Sequence, residues 1–499
     1  MKKINILLLI SFSMMQFSCD EDFLNTTDPT RINRDLFYQN QTQFDQALNG
    51  IYGQLQTITN SAYLQQEFIS DNTTIDIDIA NRGGAVGWEA FEFSTVNQGN
   101  GEINTLWVNH YATMYNINFA LEKLEKVTFD AAAKGVIEGQ LKFLRAYHYF
   151  NLTRYFGDVV LATKTLANPN EAFDLVRSPQ ADIYKQIELD LTDAAKVLPA
   201  TYPANQRGKV TKGAALTLLG KVYLTRKNYT GAVTALKEVT TLGYALNVDY
   251  KDNFDPAKKN GPESIFEVQY QGGNDLGEQS NFAYIFAPRL SGAAITGFAN
   301  TTPQGRNIPT NDMINAYETG DLRKAVSLKT SYTLGSNTIS IPYISKFTYP
   351  HTITGRTDNN WPVLRYADAL LMLAEATNEG GGIDEAITLL NRVRKRAGLP
   401  DLTGLSKDAL RNAILKERRV ELAFENHRWF DLQRVYTPAQ LASFMNEHGA
   451  REKAKPTVAR PGLAFNELDY VYSDFEYLLP IPAPQILINA KLTQNDGYK

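Results

Sequence analysis

Two separate stretches of this chain carry the same sparse pattern. Residues 213–246 contain Leu216, Leu219, Gly220, Tyr223, Tyr229, Ala232 and Leu236, and residues 367–396 repeat it with Leu370, Leu373, Ala374, Ile383, Ala386 and Leu390. Small residues at this spacing let two antiparallel helices approach, and the large ones fill the gaps, which is tetratricopeptide spacing. Tyr229 and Ile383 each fall at the start of a second helix, with Asn228 and Gly380-Gly381-Gly382 providing the turns. A degenerate hairpin imitates the pattern once; two copies argue for a helical-repeat scaffold.

The flanking periodicity agrees. Apolar residues at helical spacing predict helices over 37–58, 104–126, 134–156 and 179–197, the last with Ser178 as N-cap and Pro179 at its first position. The longest helix is expected over 407–433. Ile75-Asp76-Ile77-Asp78-Ile79 alternates strictly and reads as a half-buried strand. Residues 247–360 break the helical order, being rich in Gly, Pro, Asn and Thr, with short strand-like runs at 264–270 and 338–347. Their many aromatics argue for order. The expected fold is therefore mainly α: a tetratricopeptide-like scaffold with a large, irregular, loop-rich insertion containing short strands. Its parts are a signal peptide (1–18), an anchor and linker (19–36), an N-terminal helical part (37–246), the irregular part (247–360), and a C-terminal helical part with a Pro-rich tail (361–499).

The start of the chain carries an address. Lys2 and Lys3 precede an apolar run from Ile4 to Phe17, Ser18 follows, and then comes Cys19, the only cysteine. The run is shorter than the roughly 20 residues a spanning helix needs, and the order matches an export signal. A cysteine at the cut point resembles the acylated residue of bacterial lipoproteins, although Gln16 and Phe17 replace the usual aliphatic and small residues. Asp20, Glu21 and Asp22 resemble the signal by which Bacteroidota send lipoproteins to the outer face of the outer membrane. Removing residues 1–18 takes away two lysines, so the net charge of −4 becomes −6. That balance argues against nucleic acid, whose phosphates need a concentrated basic face.

Further motifs carry a family resemblance. Leu144-Arg145-Ala146-Tyr147-His148-Tyr149-Phe150, Phe156-Gly157-Asp158-Val159 and Leu364-Arg365-Tyr366-Ala367-Asp368 resemble SusD/RagB signatures. So do Glu417 through Glu425, His427 through Leu432, and the tail from Leu479-Pro480-Ile481-Pro482 to Gln494-Asn495. The resemblance spans essentially the whole mature chain in the family's order. It implies a non-catalytic surface lipoprotein that captures oligosaccharide or polysaccharide, with no cofactor. The implied partner is a SusC-like TonB-dependent outer-membrane transporter, on which such proteins sit as a lid. RagB-like relatives imply peptide capture as the alternative, and a purely structural helical-repeat scaffold is the third reading. In the signatures, Arg145, Arg418, Arg419 and Arg428 are expected to brace the fold through bidentate carboxylate pairs. Glu417, Glu421 and Glu425 are the nearest partners, and Trp429 and Phe430 are expected in the core.

Catalytic constellations are missing: the sequence has no G-x-S-x-G elbow, no H-E-x-x-H and no phosphate loop. The five histidines show no metal-ligand spacing. Asp76 and Asp78 fall on one side of the expected strand and could help hold Ca²⁺, although solvated acids are the simpler reading. A carboxylate pair of glycosidase type is not singled out.

A sugar site needs aromatic faces for pyranose C–H surfaces and polar groups for the hydroxyls. Of four tryptophans, Trp107, Trp361 and Trp429 lie in framework-like segments. Trp88 alone sits in a Gly-rich, loop-like context, beside Asn81 and Arg82 and after Asp71 and Asn72. These five are the first candidate wall, with a buried anchor tryptophan as the competing account of Trp88. Tyr284, Phe286, Arg289, Asn300 and Arg306 are the candidates for a second wall.

Overall fold

The computed structural model describes residues 37–76, 86–274, 276–459, 465 and 468–498. The signal, Cys19 and the acidic cluster after it lie outside these residues.

Helices carry the body: α1 (Gln41–Tyr63), α2 (Val86–Phe93), α3 (Gly101–Lys126), α4 (Ala131–Phe156), α5 (Gln180–Val197), α6 (Lys212–Thr225) and α7 (Tyr229–Val239). After the irregular part come α8 (Tyr366–Glu379), α9 (Ile383–Arg396), α10 (Lys407–Glu421), α11 (Arg428–Val435) and α12 (Pro438–Ala454). Both repeat hairpins form as expected, α6 with α7 and α8 with α9, and α7 packs on α8. Tyr229 and Ile383 open the second helices, and the Asn228 side chain caps α7 by accepting from Gly231. Close approach requires the glycine in α6: a Cβ on Gly220 would stand 2.5 Å from Leu236.

Two expectations fail locally. Ser178 does not cap α5; its N–H donates to Val159 O, and the Asp158 carboxylate accepts from Gln180 N instead. The helix expected over 407–433 breaks between α10 and α11. There Phe424 and Asn426 adopt φ of 66° and 65°, a left-handed turn that no helix accommodates. The turn aims Glu425 inward at Lys346 and Arg365.

The irregular part is tied down by short antiparallel pairs. β1 (Thr73–Thr74) pairs β3 (Ile308–Pro309), and β2 (Ser264–Val268) pairs β8 (Trp361–Arg365). β4 (Leu328–Lys329) pairs β7 (Tyr343–Ile344), and β5 (Tyr332–Leu334) forms a hairpin with β6 (Asn337–Ile339). The strand expected over 75–79 is described only to residue 76, with β1 just before it. One core cluster runs from Phe44 to Ile481 through helices and irregular part alike.

Charge holds the irregular part to the C-terminal helices. Arg365, at the end of β8, donates from Nε to Glu425 at 2.7 Å and from Nη1 to Glu263 at 2.6 Å and Glu421 at 2.9 Å. Arg323 grips Asp321 with two nitrogens and reaches Glu417 and Glu421, while Arg396 spans Glu263 and Glu421. All are buried. The glutamates of α10 are thus paired, but with arginines from distant segments rather than with their sequence neighbours. Arg145 meets Asp190 bidentately, as expected of a bracing arginine, and Arg418 bridges Asp368 and Asp431. Trp429 and Phe430 lie in the core.

Candidate functional site

Trp88 is the tryptophan that stands apart. Trp107, Trp361 and Trp429 are 2–4 % exposed, whereas Trp88 is half-buried and packs only partly against the core. It lies on α2, not in a loop, because the described residues after 85 wind into eight helical residues. The Asn100 side chain fixes this helix by accepting from Glu102 N while donating to Gly87 O at 2.9 Å. The indole Nε1 then donates to Glu102 Oε1 at 2.7 Å.

Arg306 comes to the same place from the irregular part. Its guanidinium carbon lies 3.1 Å from the Trp88 ring centroid, a cation–π stack. Its Nη1 donates to Tyr63 Oη at 2.9 Å, at the end of α1. Burial raises the Tyr63 phenol to about 12 against the pull of Arg306, so it stays protonated. Among the described residues no carboxylate forms an ion pair with Arg306.

The segment holding Arg306 is set by backbone pairing. Gln304, Gly305 and Arg306 donate to Tyr284, Ala287 and Ile285 carbonyls, which lays residues 304–306 along 284–287. Gly305 sits at φ 65°, and a Cβ there would stand 2.7 Å from the Asp76 carbonyl. Only glycine fits. Asp76 closes the arrangement, donating its N–H to Gly305 O and accepting Arg289 N–H on its carboxylate at 2.9 Å.

One step further along the same segment is an aromatic group. Tyr284 Oη and His351 Nε2 are 2.7 Å apart, and the Phe298 ring lies 4.9 Å from that of His351. Because His351 Nδ1 faces Tyr349 O at 3.0 Å, Nδ1 carries the proton and Nε2 accepts from the tyrosine. Phe298 is half-exposed, and Asn300 beyond it is exposed with φ 59°.

The structure therefore stacks Arg306 of the irregular part on Trp88 of α2, with Arg289 and Asn300 at the margins of the segment that carries Arg306. It removes four candidates. Tyr284 is buried, and its hydroxyl is spent on His351. Asp71 is buried, and Arg428 clamps its carboxylate at 2.7 and 3.0 Å while Arg419 adds an ion pair at 2.8 Å. Burial alone would raise that carboxyl, but the two guanidiniums overcome it and hold it well below the usual range. Asn72 is spent on Glu67 and Arg419. Phe286 is a core ring, edge-on to Tyr63 at 5.4 Å. Asn81, Arg82 and Asp78 lie outside the described residues, so the paired-aspartate Ca²⁺ reading falls there too. Among the described residues no cluster of three metal-ligating side chains occurs.

Sequence reasoning missed Tyr63, Glu102, Phe298 and His351. Nothing local marks them: Glu102 and Tyr63 reach Trp88 and Arg306, and His351 reaches Tyr284 and Phe298, only through the fold. A polar cleft of about 900 Å³ lies elsewhere, lined by Tyr52, Gln56, Lys209, Lys259, Tyr270 and Asp358. Its tyrosines offer no ready sugar face: Tyr270 is buried with its hydroxyl on Asn60, and Tyr52 Oη is held between Gln140 and Val210 N–H.

Comparison with known proteins bears on both halves. Residues 22–224 match the family model described as "Starch-binding associating with outer membrane", and residues 324–498 match that of the SusD family. SusD-like protein P2 of Formosa agariphila is 27 % identical over 93 % of this chain and 94 % of its own length. SusD-like protein P25 of the same organism is 26 % identical over the whole of both. Among solved structures, a SusD-like protein from Bacteroides fragilis superposes with a TM-score of 0.75 at 25 % identity, covering 93 % of this chain and 98 % of its own. A laminarin binding SusD-like protein gives 0.76 at 27 % identity, covering 92 % and 100 %.

Proposed function

Because this chain belongs to the SusD-like family, we propose that it is a non-catalytic, surface-exposed lipoprotein of the outer membrane that captures oligosaccharide. It passes its ligand to a SusC-like TonB-dependent transporter, over which it sits as a lid. The observation that carries the binding role is the half-buried Trp88 stacked by Arg306. A pyranose ring presents C–H groups that pack on an indole, and its hydroxyls accept from a guanidinium and donate to a carboxylate. Trp88, Arg306, Glu102 and Tyr63 supply all three within one contact chain. A laminarin binding relative of the same architecture supports a glucan-type ligand. Closure of the lid is a population shift, in which ligand touching both proteins favours the closed state. A lipid on Cys19 keeps lid and transporter at high effective concentration.

A binding screen of glycans and peptides, using protein that starts after Cys19, tests the ligand class. Binding of a glycan that Trp88→Ala abolishes supports the proposal; binding of peptides alone replaces it with the RagB-like reading. Pull-down from detergent-solubilised membranes should recover a large β-barrel protein, and recovery of none counts against the lid. Cys19→Ala should abolish acyl labelling, and labelled lipid persisting in that variant would remove the anchor.

A further inference from the structure

A second charged site, built on the half-buried Arg154, Lys221 and His427, lies between α4, α6 and α11, and its charges do not balance. Arg154 is clamped between two rings, with its guanidinium carbon 3.8 Å from the Phe150 centroid and 3.5 Å from that of Phe430. Its Nε donates to Phe150 O and its Nη2 to Asn151 Oδ1, both neutral acceptors. Among the described residues it has no carboxylate partner. Lys221 Nζ lies 2.7 Å from Asp368 and 3.3 Å from His427 Nδ1.

Two small adjoining cavities, of about 50 and about 20 Å³, are both lined by Arg154, Lys221, His427 and Phe430. Asn426 lines the larger one and has a buried Oδ1 without a partner. The amide turned by 180° would instead aim its N–H₂ there.

The charge count around these cavities is four cations, Arg154, Lys221, Arg418 and Arg434, against three carboxylates, Asp368, Asp431 and Glu375. Glu425 also lines the larger cavity but is already taken by Lys346 and Arg365. Partial burial is enough to make one uncompensated positive charge costly. Arg418 and Arg434 are raised by their carboxylates, whereas the groups around Arg154 shift the other way. Burial lowers Arg154 to about 10 and His427 to about 3, and it lowers Lys221 despite Asp368.

We infer that this cavity binds one small inorganic monoanion, of chloride size, held by Arg154 and Lys221 with the Asn426 amide turned to donate. A water needs roughly 10–15 Å³ of such space, so one halide or a few waters fit, and only the halide closes the charge balance. The site would pin the N-terminal helices to α11 and is independent of the glycan face.

Melting of the full mature protein in sodium chloride or bromide, against sodium gluconate at equal ionic strength, reads this out. Halide at a hundred times its dissociation constant should raise Tm by at least about 2 °C over gluconate, and Arg154→Met, which still fills the slot between Phe150 and Phe430, should remove that increment. Should that variant not fold, bromide-soaked crystals of the unaltered protein decide. An anomalous peak between Arg154, Lys221 and His427 supports the site. Water alone in the cavity, or a halide increment that Arg154→Met retains, overturns it.

Discussion

Arginine does two different jobs in this molecule, and the contrast between Arg365 and Arg306 separates them. Arg365 is buried and surrounded by Glu263, Glu421 and Glu425, so every donor faces an acid or a carbonyl. Arg306 is half-buried, sits over the Trp88 ring and donates to a neutral tyrosine. The first arrangement spends all of its hydrogen-bonding capacity inside the protein and can only brace. The second keeps a charged, planar group beside a partly exposed aromatic face, where a polyhydroxylated ligand has something to gain. Residue type alone does not distinguish scaffold from site; the partner does.

Breaking the scaffold side should cost most. Arg365→Met leaves three buried glutamates short of a counter-charge, and removing one partner of a buried pair costs about 3–5 kcal/mol. Chemical denaturation should show that loss, or the variant should fail to accumulate folded.

Glu67 sharpens the comparison from the acid side. It accepts from Asn72 and from Phe424 N but has no cation in hydrogen-bond contact, and its second oxygen is buried without a partner. Burial therefore raises its carboxyl from 4.5 to about 7. A raised acid binds a proton more tightly in the fold, so its contribution to stability falls as pH rises from 4.5 to 7 and is flat above. Glu67→Gln removes that penalty. The variant should be more stable than the parent by about 1–3 kcal/mol at pH 8, with the two converging near pH 4.5. Paired denaturation curves at the two pH values check this.

On the site side the stability effect should be small. Arg306→Met gives up a stack and one hydrogen bond, a loss of under about 1.5 kcal/mol. Its glycan affinity should fall while its melting temperature stays within a few degrees of the parent. A large drop in melting would place Arg306 with Arg365 as a brace.

These differences also mark what was legible in the sequence. The repeat hairpins were, because α6 with α7 and α8 with α9 are local and their spacing records the contact directly. Arg145 and Arg418 were legible as braces from their aromatic and acidic surroundings. Their partners were not: Asp190, Asp368 and the arginines that meet α10 lie tens to hundreds of residues away, and no period encodes such pairings. The break at Phe424 was hidden for the same reason, since it serves Lys346 and Arg365. Trp88 stood out by context and Arg306 by texture, but their contact depends on the Gly305 turn against Asp76. Asp71 and Asn72 were misplaced by treating nearness in sequence to Trp88 as nearness to the surface, when that segment turns inward toward Arg419 and Arg428.

The central claim is that Trp88 is a ligand platform and not an anchor of the core. The direct measurement is glycan affinity and melting temperature on one variant, Trp88→Ala, beside the parent. A platform predicts at least a roughly tenfold loss of affinity, about 1.4 kcal/mol, with melting shifted by a few degrees at most. Unchanged glycan affinity in a folded variant would contradict it, as would a stability loss of about 3–5 kcal/mol, the cost of deleting a buried aromatic.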